Sequence, residues 1–447
     1  MLKELIRRLR NEYPNERDAV AITASTVIAA CNIGGITLRS FAGIGSGMGE
    51  AAAIVQRINE NITTRERWLR TKVLIIDEIS MVDRALFDKL EAIARMLRLD
   101  PRPFGGIQLV ITGDFFQLPP FQGSGFAFES LMWQPCIQYT IELCTVFRQK
   151  DPDLAAMLND LRTGRPNQRT ILALSRLSRE LSFSDGIEAI ELFPTCGQVE
   201  MANNSRLERL AGATQQFESY DVYDPSLSMQ DRMTILNGFM APRLLELKSG
   251  SQVMLIKDKT KHLVNGTLGR VIGFMKKTNT LSNRNQESFF QSSDNRRAGD
   301  LPWPLVQFGL TDGSTQLLLC PPEKWRVEYP NRRIQAARVQ VPLVLGWAMS
   351  LHKSQGLALN RAKVQLNKTF EGAQAYVALS RATSQDGLQV IGPDYARFKA
   401  HPAVLIFYDN LRQSAKAADT FRRSNVYLNS RVLSGAKNKS VFTEGES

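Results

Sequence analysis

Two carboxylates at the end of a hydrophobic run, in Val73-Leu-Ile-Ile-Asp77-Glu78-Ile79-Ser80, are the first residues here that can do chemistry. One such oxygen donor suits Mg²⁺, which keeps several of its waters and takes few protein ligands. A second carboxylate beside it can polarise a water for attack on a phosphoryl group. A plain strand followed by a charged turn has the same composition, so this pair alone leaves both readings open. A second run-end follows in Gly113-Asp114-Phe115-Phe116-Gln117-Leu118-Pro119-Pro120. A Gln there can sense a γ-phosphate and the aromatics can stack on a base; Phe-Phe before Pro-Pro reads equally well as core and turn. Two such run-ends in succession favour nucleotide chemistry over two accidents.

Thr145-Val-Phe-Arg148-Gln149 and Ala378-Leu-Ser380-Arg381-Ala382 each set one Arg in an apolar context. The planar guanidinium fork there seeks a phosphate or a carboxylate, so a phosphate contact and a structural salt bridge both fit. Ser350-Leu-His352-Lys353-Ser354-Gln355-Gly356 crowds hydroxyls, His, Lys and Gln into one loop-like stretch. Such a cluster suits contacts to a phosphate backbone, which position a strand without reading its sequence. Thr23, Ser25 and Thr26 offer similar hydroxyls, and Ser40-Phe41 adds a stacking candidate.

These residues need a scaffold. The first third of the sequence alternates helical and strand patterns, the signature of a parallel α/β sheet. The spacing predicts a helix over Leu2–Arg10, a strand over Val20–Thr23 and a helix-like stretch through Cys31. Val73–Asp77 and Ile107–Thr112 are continuous apolar runs, as expected of strands buried on both faces. Helical spacing over Phe87–Leu99 stops at Pro101 and Pro103. A second α/β unit begins near Asp151, with helices expected over Leu154–Leu161 and Glu200–Leu210 and a strand over Ala189–Phe193. Between about Gly250 and Gln340 short strands are expected at Val253–Ile256, Gly269–Phe274, Leu305–Leu310 and Gln316–Leu319. With Asn265-Gly266 as a hairpin turn, they read as a small β-barrel insertion. Within it Lys276–Asp300, rich in Asn, Ser, Gln and Arg, reads as a mobile loop. Val341–Leu351 reads as one buried strand, and further strands are expected near Ala362–Leu366 and Leu388–Ile391. After about Asn410 the chain turns polar and basic.

The 447 residues are 43% hydrophobic and 22% charged, which gives ample core. At roughly 150 residues per domain they imply about three domains. Fifty-six Lys and Arg against 44 Asp and Glu give a net charge of +12, which favours a polyanionic partner, nucleic acid or a membrane surface. No apolar run approaches the ~18 residues that span a bilayer, which excludes an inserted membrane protein. Five scattered cysteines without CxxC spacing, and three histidines, argue against a disulfide framework or a zinc site and for a reducing compartment. The basic, amphipathic start reads as a helix rather than a transit peptide, because Glu4 and Glu12 break the acid-poor pattern.

In chain order TAST, LRSFAGIG, VLIIDEISMVD, FDKLEAIAR, PFGG, GDFFQLPP, VFRQ, LVNGTLG, MSLHKSQG and AYVALSRA run from about Val20 to Gly392. This series resembles the PIF-one type of 5′→3′ DNA helicases, in the RecD-like branch of helicase superfamily one. The resemblance implies an α/β fold of two RecA-like P-loop NTPase lobes with an SH3-like β-barrel insertion in the second. Lobe 1A would cover 1–150 with a small wedge, 1B, near 41–68; lobe 2A would cover 151–245 and 341–405. Domain 2B would cover 246–340, and a basic tail 406–447. ATP and Mg²⁺ are the implied cofactors. Asp77 would organise Mg²⁺ through water, Glu78 would be the catalytic base, and Gln117 would couple the γ-phosphate to DNA. Arg148 and Arg381 would be arginine fingers, and Gln355 and Gly356 would meet the nucleotide. Thr23, Ser25, Thr26, Ser40, Phe41, Phe116, Ser350, His352 and Lys353 fall where such enzymes touch the strand. The implied activity is ATP-driven movement along single-stranded DNA and unwinding of duplex or structured DNA in repair, recombination and telomere upkeep. Single-stranded and forked DNA are the implied partners, with no membrane and no need for more than a monomer. The implied location is nucleus or mitochondrion if the source is eukaryotic.

The pattern breaks in one place. The sequence has no G-x-x-x-x-G-K-[ST], and in the family that loop runs into the helix that Leu2–Arg10 resembles. The expectation is an amino-terminally truncated chain that starts after the phosphate cradle and lacks the first sheet strand and the adenine-contacting segment. Without that backbone nest and its Lys, a strand-binding remnant that does not hydrolyse ATP stands as the alternative. Two smaller departures are Val27, where the family tends to have Gly, and Arg39, where it tends to have His.

Overall fold

The strand Val73–Asp77 organises the first α/β unit because both of its faces are apolar. Val73 and Ile75 pack with Val20 and Ile22 under Ile6 and Leu9 of the amphipathic helix Leu2–Glu12. Leu74 and Ile76 point the other way, into Phe87, Leu90, Ile93 and Leu97 of the helix Arg84–Arg98. This is the period of two that a doubly covered strand requires. The sheet runs Ile36–Thr37, Val20–Ala24, Val73–Asp77, Gln108–Ile111, all parallel. Ala24 pairs with Asp77, so Ser25, Asp77 and Thr112 end at one carboxyl edge, where open parallel sheets bind ligands. The computed structural model describes residues 1–414 apart from 17, 46, 48, 121–124, 150, 276–301, 311–312, 330–332, 367–369, 371–372 and 393–397.

The second unit repeats the plan. Its sheet runs Ala348–Ser350, Ile190–Phe193, Ala362–Gln365, Leu388–Ile391, again parallel, with the helices Pro152–Arg162 and Ala373–Leu379 packed into the same core. A β-rich region lies beside it. Thr315–Leu319, Trp303–Gly309, Leu268–Met275, Gln252–Leu255 and Leu343–Leu345 form a five-stranded antiparallel sheet. Glu323–Glu328, Ile334–Gln340 and Tyr220–Tyr223 form a second sheet, and Gln215–Glu218 pairs with Leu244–Leu247. The region therefore draws in strands from before residue 246.

Three sequence expectations need correction. Val341–Leu351 is not one strand. Leu343–Leu345 joins the antiparallel sheet and Ala348–Ser350 the parallel one. The chain crosses between them at Gly346, where a Cβ would lie 2.7 Å from the Val253 carbonyl carbon. Asn265-Gly266 does not make a two-residue hairpin; it closes a longer connection in which Gly266 N donates to Leu255 O at 2.8 Å. The expected tail over 406–447 is helical at its start. Residues 402–414 form a helix whose Val404 and Tyr408 enter the first unit's core. The rest of that tail and the loop expected at 276–300 lie outside the described residues. The stretch near 41–68 contains the helices Ala51–Glu60 and Ile62–Arg70, whose Ile54, Ile58 and Trp68 belong to the core shared with Arg84–Arg98. Among the described residues no helix is long and apolar enough to cross a membrane.

Candidate nucleotide and strand site

Asp77 ends its strand and accepts a 2.5 Å hydrogen bond from the Thr112 hydroxyl, which fixes one of its oxygens across the sheet. Glu78 follows in a left-handed conformation, φ 56°, ψ 50°. A non-glycine residue there is strained, and such strain gathers at functional sites. The chain comes so close at this corner that a Cβ on Gly113 would lie 2.9 Å from Ile79 N. The Glu78 carboxyl is mostly buried, and one of its oxygens, Oε2, has no hydrogen-bond partner among the described residues. Burial, with help from Asp77 and Asp114, pushes its pKa up to about 7, against the pull of Arg381 and Arg148. A carboxyl poised near neutrality is suited to general base work.

Arg381 belongs to the second unit, and Arg148, just before that unit begins, is tied to it through Gln149. Arg381 is 1% exposed and follows the helix Ala373–Leu379. Its Nε donates to Val377 O at 3.0 Å and its Nη2 to Ser380 Oγ at 2.8 Å, while Nη1 has no partner among the described residues. Burial, with the nearby Arg148 charge, lowers its pKa to about 10. Arg148 is also lowered, chiefly by burial. The Gln149 amide donates to the carbonyls of Ser380 and Ala382 at 2.9 and 3.1 Å, which ties the Arg148 segment to the Arg381 segment. Asp77, Glu78, Arg148 and Arg381, distant in sequence, thus share one electrostatic neighbourhood between the two parallel sheets. Gln355, just after the strand Ala348–Ser350, is buried with its Nε2 unpartnered among the described residues, and Gly356 follows in a left-handed turn near Asn32.

The strand-contact candidates divide. His352 is exposed and Lys353 half-buried on the short helix Leu351–Ser354, whose amino end Ser350 caps by accepting from Lys353 N at 3.4 Å. Thr23 is buried and spends its hydroxyl on Ile75 O at 2.6 Å. Thr26 caps the helix Val27–Ile33, while the buried Ser25 hydroxyl has no partner among the described residues. Ser40 accepts from the Thr37 hydroxyl at 2.9 Å. The two aromatics correct the sequence reading. Phe41 is 0% exposed, its ring 5.1 Å from that of Trp68, because Leu38, Phe41 and Ala42 at helical spacing all face the core. Phe116 is 4% exposed and stacks on Tyr408. Neither offers a face to a base in this conformation.

Sequence reasoning passed over Asp114, Arg162, Tyr376 and Tyr408. Asp114 stands inside GDFFQLPP and Tyr376 inside AYVALSRA, so their motifs were signals; Arg162 and Tyr408 sit in helices with no local mark of function. Burial pushes Tyr376 up to about 12, with Asp114 adding to it. Its position between Arg148, Arg162 and Arg381 shows in the charge interactions it has with all three.

Two α/β units built on parallel sheets, with Asp77 and Glu78 of one in the electrostatic neighbourhood of Arg148 and Arg381 beside the other, have the architecture of a RecA-like helicase fold. Residues 1–169 match the family described as PIF1-like helicase, and residues 233–274 that described as DNA helicase Pif1, 2B domain. The ATP-dependent DNA helicase PIF1 of Emericella nidulans is 49% identical over 442 residues, covering 92% of this chain and 59% of that protein. The crystal structure of Pif1 helicase from Candida albicans aligns with a TM-score of 0.70 at 44% identity, covering 92% of each chain. A Bacteroides Pif1 helicase in complex with ADP-AlF3 and ssDNA aligns with a TM-score of 0.53 at 25% identity, covering 88% of this chain and 87% of that one. The chain belongs to the PIF1-like helicase family. It spans about three fifths of the length of the curated relatives it matches.

Proposed function

We propose that this chain is the motor core of an ATP-dependent 5′→3′ DNA helicase that moves along single-stranded DNA and opens duplex or structured DNA in genome maintenance. One observation carries the reading. Four buried polar atoms, Ser25 Oγ and Glu78 Oε2 just past two strands of the first sheet, Gln355 Nε2 after the helix Leu351–Ser354 and Arg381 Nη1 after the helix Ala373–Leu379, have no partner among the described residues. Buried polar groups in native proteins are nearly always paired, so such a cluster marks a place for a polar ligand. An acceptor on one side and a guanidinium donor on the other fit a nucleoside triphosphate and the water that attacks it. The Bacteroides relative, crystallised with ADP-AlF3 and ssDNA, supports the same assignment.

In this reading Glu78 takes the proton of the attacking water. Arg148 and Arg381 neutralise charge as it spreads over the transferred phosphoryl oxygens. Gln117 relays the state of the γ-phosphate to the strand. Asp77, one of its oxygens already held by Thr112, would hold a Mg²⁺ through water, and the ion would screen the phosphate charge. Ser40, Ser350, His352 and Lys353 hold the strand backbone. Lobe 1A takes 1–150 with the wedge 1B near 41–68, lobe 2A takes 151–245 and 341–405, and an SH3-like 2B takes 246–340. The enzyme works as a monomer on single-stranded and forked DNA, in the nucleus or mitochondrion.

A second reading rests on the missing motif. The 447 residues hold no G-x-x-x-x-G-K-[ST], so by themselves they bind a strand without turnover. The deciding experiment is Mg²⁺-dependent ATP turnover by this chain with and without single-stranded DNA, beside Glu78→Gln. Strand-stimulated turnover that disappears in Glu78→Gln supports the motor. Strand binding with no turnover in either protein supports the second reading.

A further inference from the structure

Asp114 is the meeting point of three elements that lie far apart in sequence. Its carboxylate accepts from Arg162 Nη2 at 2.7 Å and from Arg162 Nε at 3.2 Å, a two-pronged pair with the last residue of the helix Pro152–Arg162. The Tyr408 hydroxyl, on the helix over 402–414, donates to the same carboxylate at 3.2 Å and accepts from Phe115 N at 3.3 Å. The Arg162 guanidinium carbon lies 4.3 Å from the Phe116 ring centre and 5.1 Å from that of Tyr408, and those two rings stack at 4.7 Å. A guanidinium that is forked onto a carboxylate and laid over an aromatic face is fixed in orientation as well as in charge. The pair is partly shielded from water, with side-chain exposures of 18% and 19%, so it is screened less than a surface ion pair.

The same carboxylate shapes the residue that follows. Phe116 N donates to Asp114 Oδ1 at 3.1 Å, Gln117 N to Asp114 O at 2.9 Å, and the Gln117 amide reaches Asp114 Oδ2 at 3.5 Å. Arg162 therefore acts on Gln117 through one intervening group. It also belongs to the unit that carries Arg381 and to which Gln149 ties the Arg148 segment, and Tyr376 interacts with all three arginines. A shift of that unit against the first cannot move Arg148 and Arg381 relative to Glu78 without also pulling on Asp114.

We infer that Arg162 and Asp114, braced by Tyr408, are positioning residues that set the Gln117 loop according to how the two α/β units sit against each other. Arg162 thereby couples strand binding to turnover without touching the nucleotide. This rests on the motor reading for what is coupled, but the positioning itself can be tested apart from turnover. The first measurement is amide hydrogen exchange of the whole chain with Arg162→Gln and Arg162→Lys, together with the melting temperature. Exchange at residues 115–117 should rise at least tenfold in both variants, since Lys keeps the charge and loses the fork, while amides of Val73–Asp77 stay protected and melting is little changed. A uniform rise over the whole molecule, or no change at 115–117, overturns the inference. The second measurement is the ratio of turnover with and without single-stranded DNA. Arg162→Gln should lower that ratio about tenfold with unstimulated turnover nearly intact, and adding Gln117→Ala should cause no further loss. A normal ratio in a variant with a loosened loop overturns the coupling. If the unsubstituted chain shows no turnover at all, the motor reading has failed for these 447 residues, and the exchange result alone decides the positioning.

Discussion

Glu78 carries two opposing demands, and its titration makes them measurable. Its folded-state pKa of about 7 lies above the ordinary 4.5, so between those values the folded protein holds a proton that the unfolded chain has released. Stability from this group is therefore present at low pH and is lost as pH rises through that window. At pH 8 the cost of the ionised, buried carboxylate is on the order of 3 kcal/mol. Glu78→Gln should raise the melting temperature at pH 8 and leave it nearly unchanged at pH 4.5; thermal melts at the two values check this, and equal effects at both would contradict the burial argument. In the proposed mechanism the same group would set activity in the opposite sense, because a base must be unprotonated. Turnover should fall as pH drops below about 7, and Glu78→Gln should cost on the order of 10²–10⁴ in rate with strand affinity retained. Phe41 makes a different prediction. With its ring sealed against Trp68, whose indole donates to Ala42 O at 3.1 Å, Phe41→Ala should cost about 3–5 kcal/mol of stability. Phe41→Leu, which fills most of the space, should bind single strands as well as the unsubstituted chain does in a fluorescence titration; a tenfold loss of affinity in a well-folded Phe41→Leu would restore the ring to the strand.

At the scale of elements, the parts of the fold that were legible are those whose side chains report their own surroundings. The run ending at Asp77 is buried on both faces and reads as an interior strand, and the apolar stripe of Arg84–Arg98 announces its helix; Gln108–Ile111, expected to be buried in the same way, is a partly exposed strand at the sheet edge. That Asp77, Glu78, Arg148 and Arg381 come near one another was legible because short motifs carry them. What a linear pattern does not display is a choice between two partners. Val341–Leu351 is uniformly apolar, and only the pairing of its halves to different sheets divides it. The Asp114 junction was invisible for a related reason, since its partners stand 48 and 294 residues away. Phe41 could have been read correctly, because Leu38, Phe41 and Ala42 keep the spacing of a buried helical face. One segment shows a pattern whose apolar side chains are left open among the described residues. Tyr139, Ile141, Leu143 and Phe147 alternate as strand residues do, yet are 87%, 82%, 65% and 89% exposed. An extended apolar stretch open to solvent invites association. Tyr139→Lys with Ile141→Lys should lower the binding of an apolar dye and the light scattering of concentrated solutions without lowering the melting temperature. A fall in melting temperature instead would mean that these side chains are packed in solution.

The whole molecule decides how a strand is held. Net charge is +12, and the two aromatics at strand-contact positions, Phe41 and Phe116, are committed to the interior. Base stacking resists salt, whereas phosphate contacts release condensed ions and weaken steeply as salt rises. Under the proposed function, with stacking from those two rings removed, the balance would move to backbone contacts by His352, Lys353 and the hydroxyls near them. Affinity for single strands should then fall linearly in log–log form with salt, each phosphate contact adding about −0.7 to the slope. Lys353→Ala should make that slope shallower by about 0.7 and weaken every sequence alike, because a phosphate contact reads no base. Titrations of a thymine homopolymer and a mixed-sequence strand across a salt series, with and without the substitution, measure both effects. A large salt-resistant affinity, or a loss in Lys353→Ala confined to one of the two strands, would mean that bases are gripped by rings this conformation keeps inside. Either result would require the Gly113–Pro120 loop to open when the strand arrives, and it would then be the Tyr408 stack on Phe116 that the strand displaces.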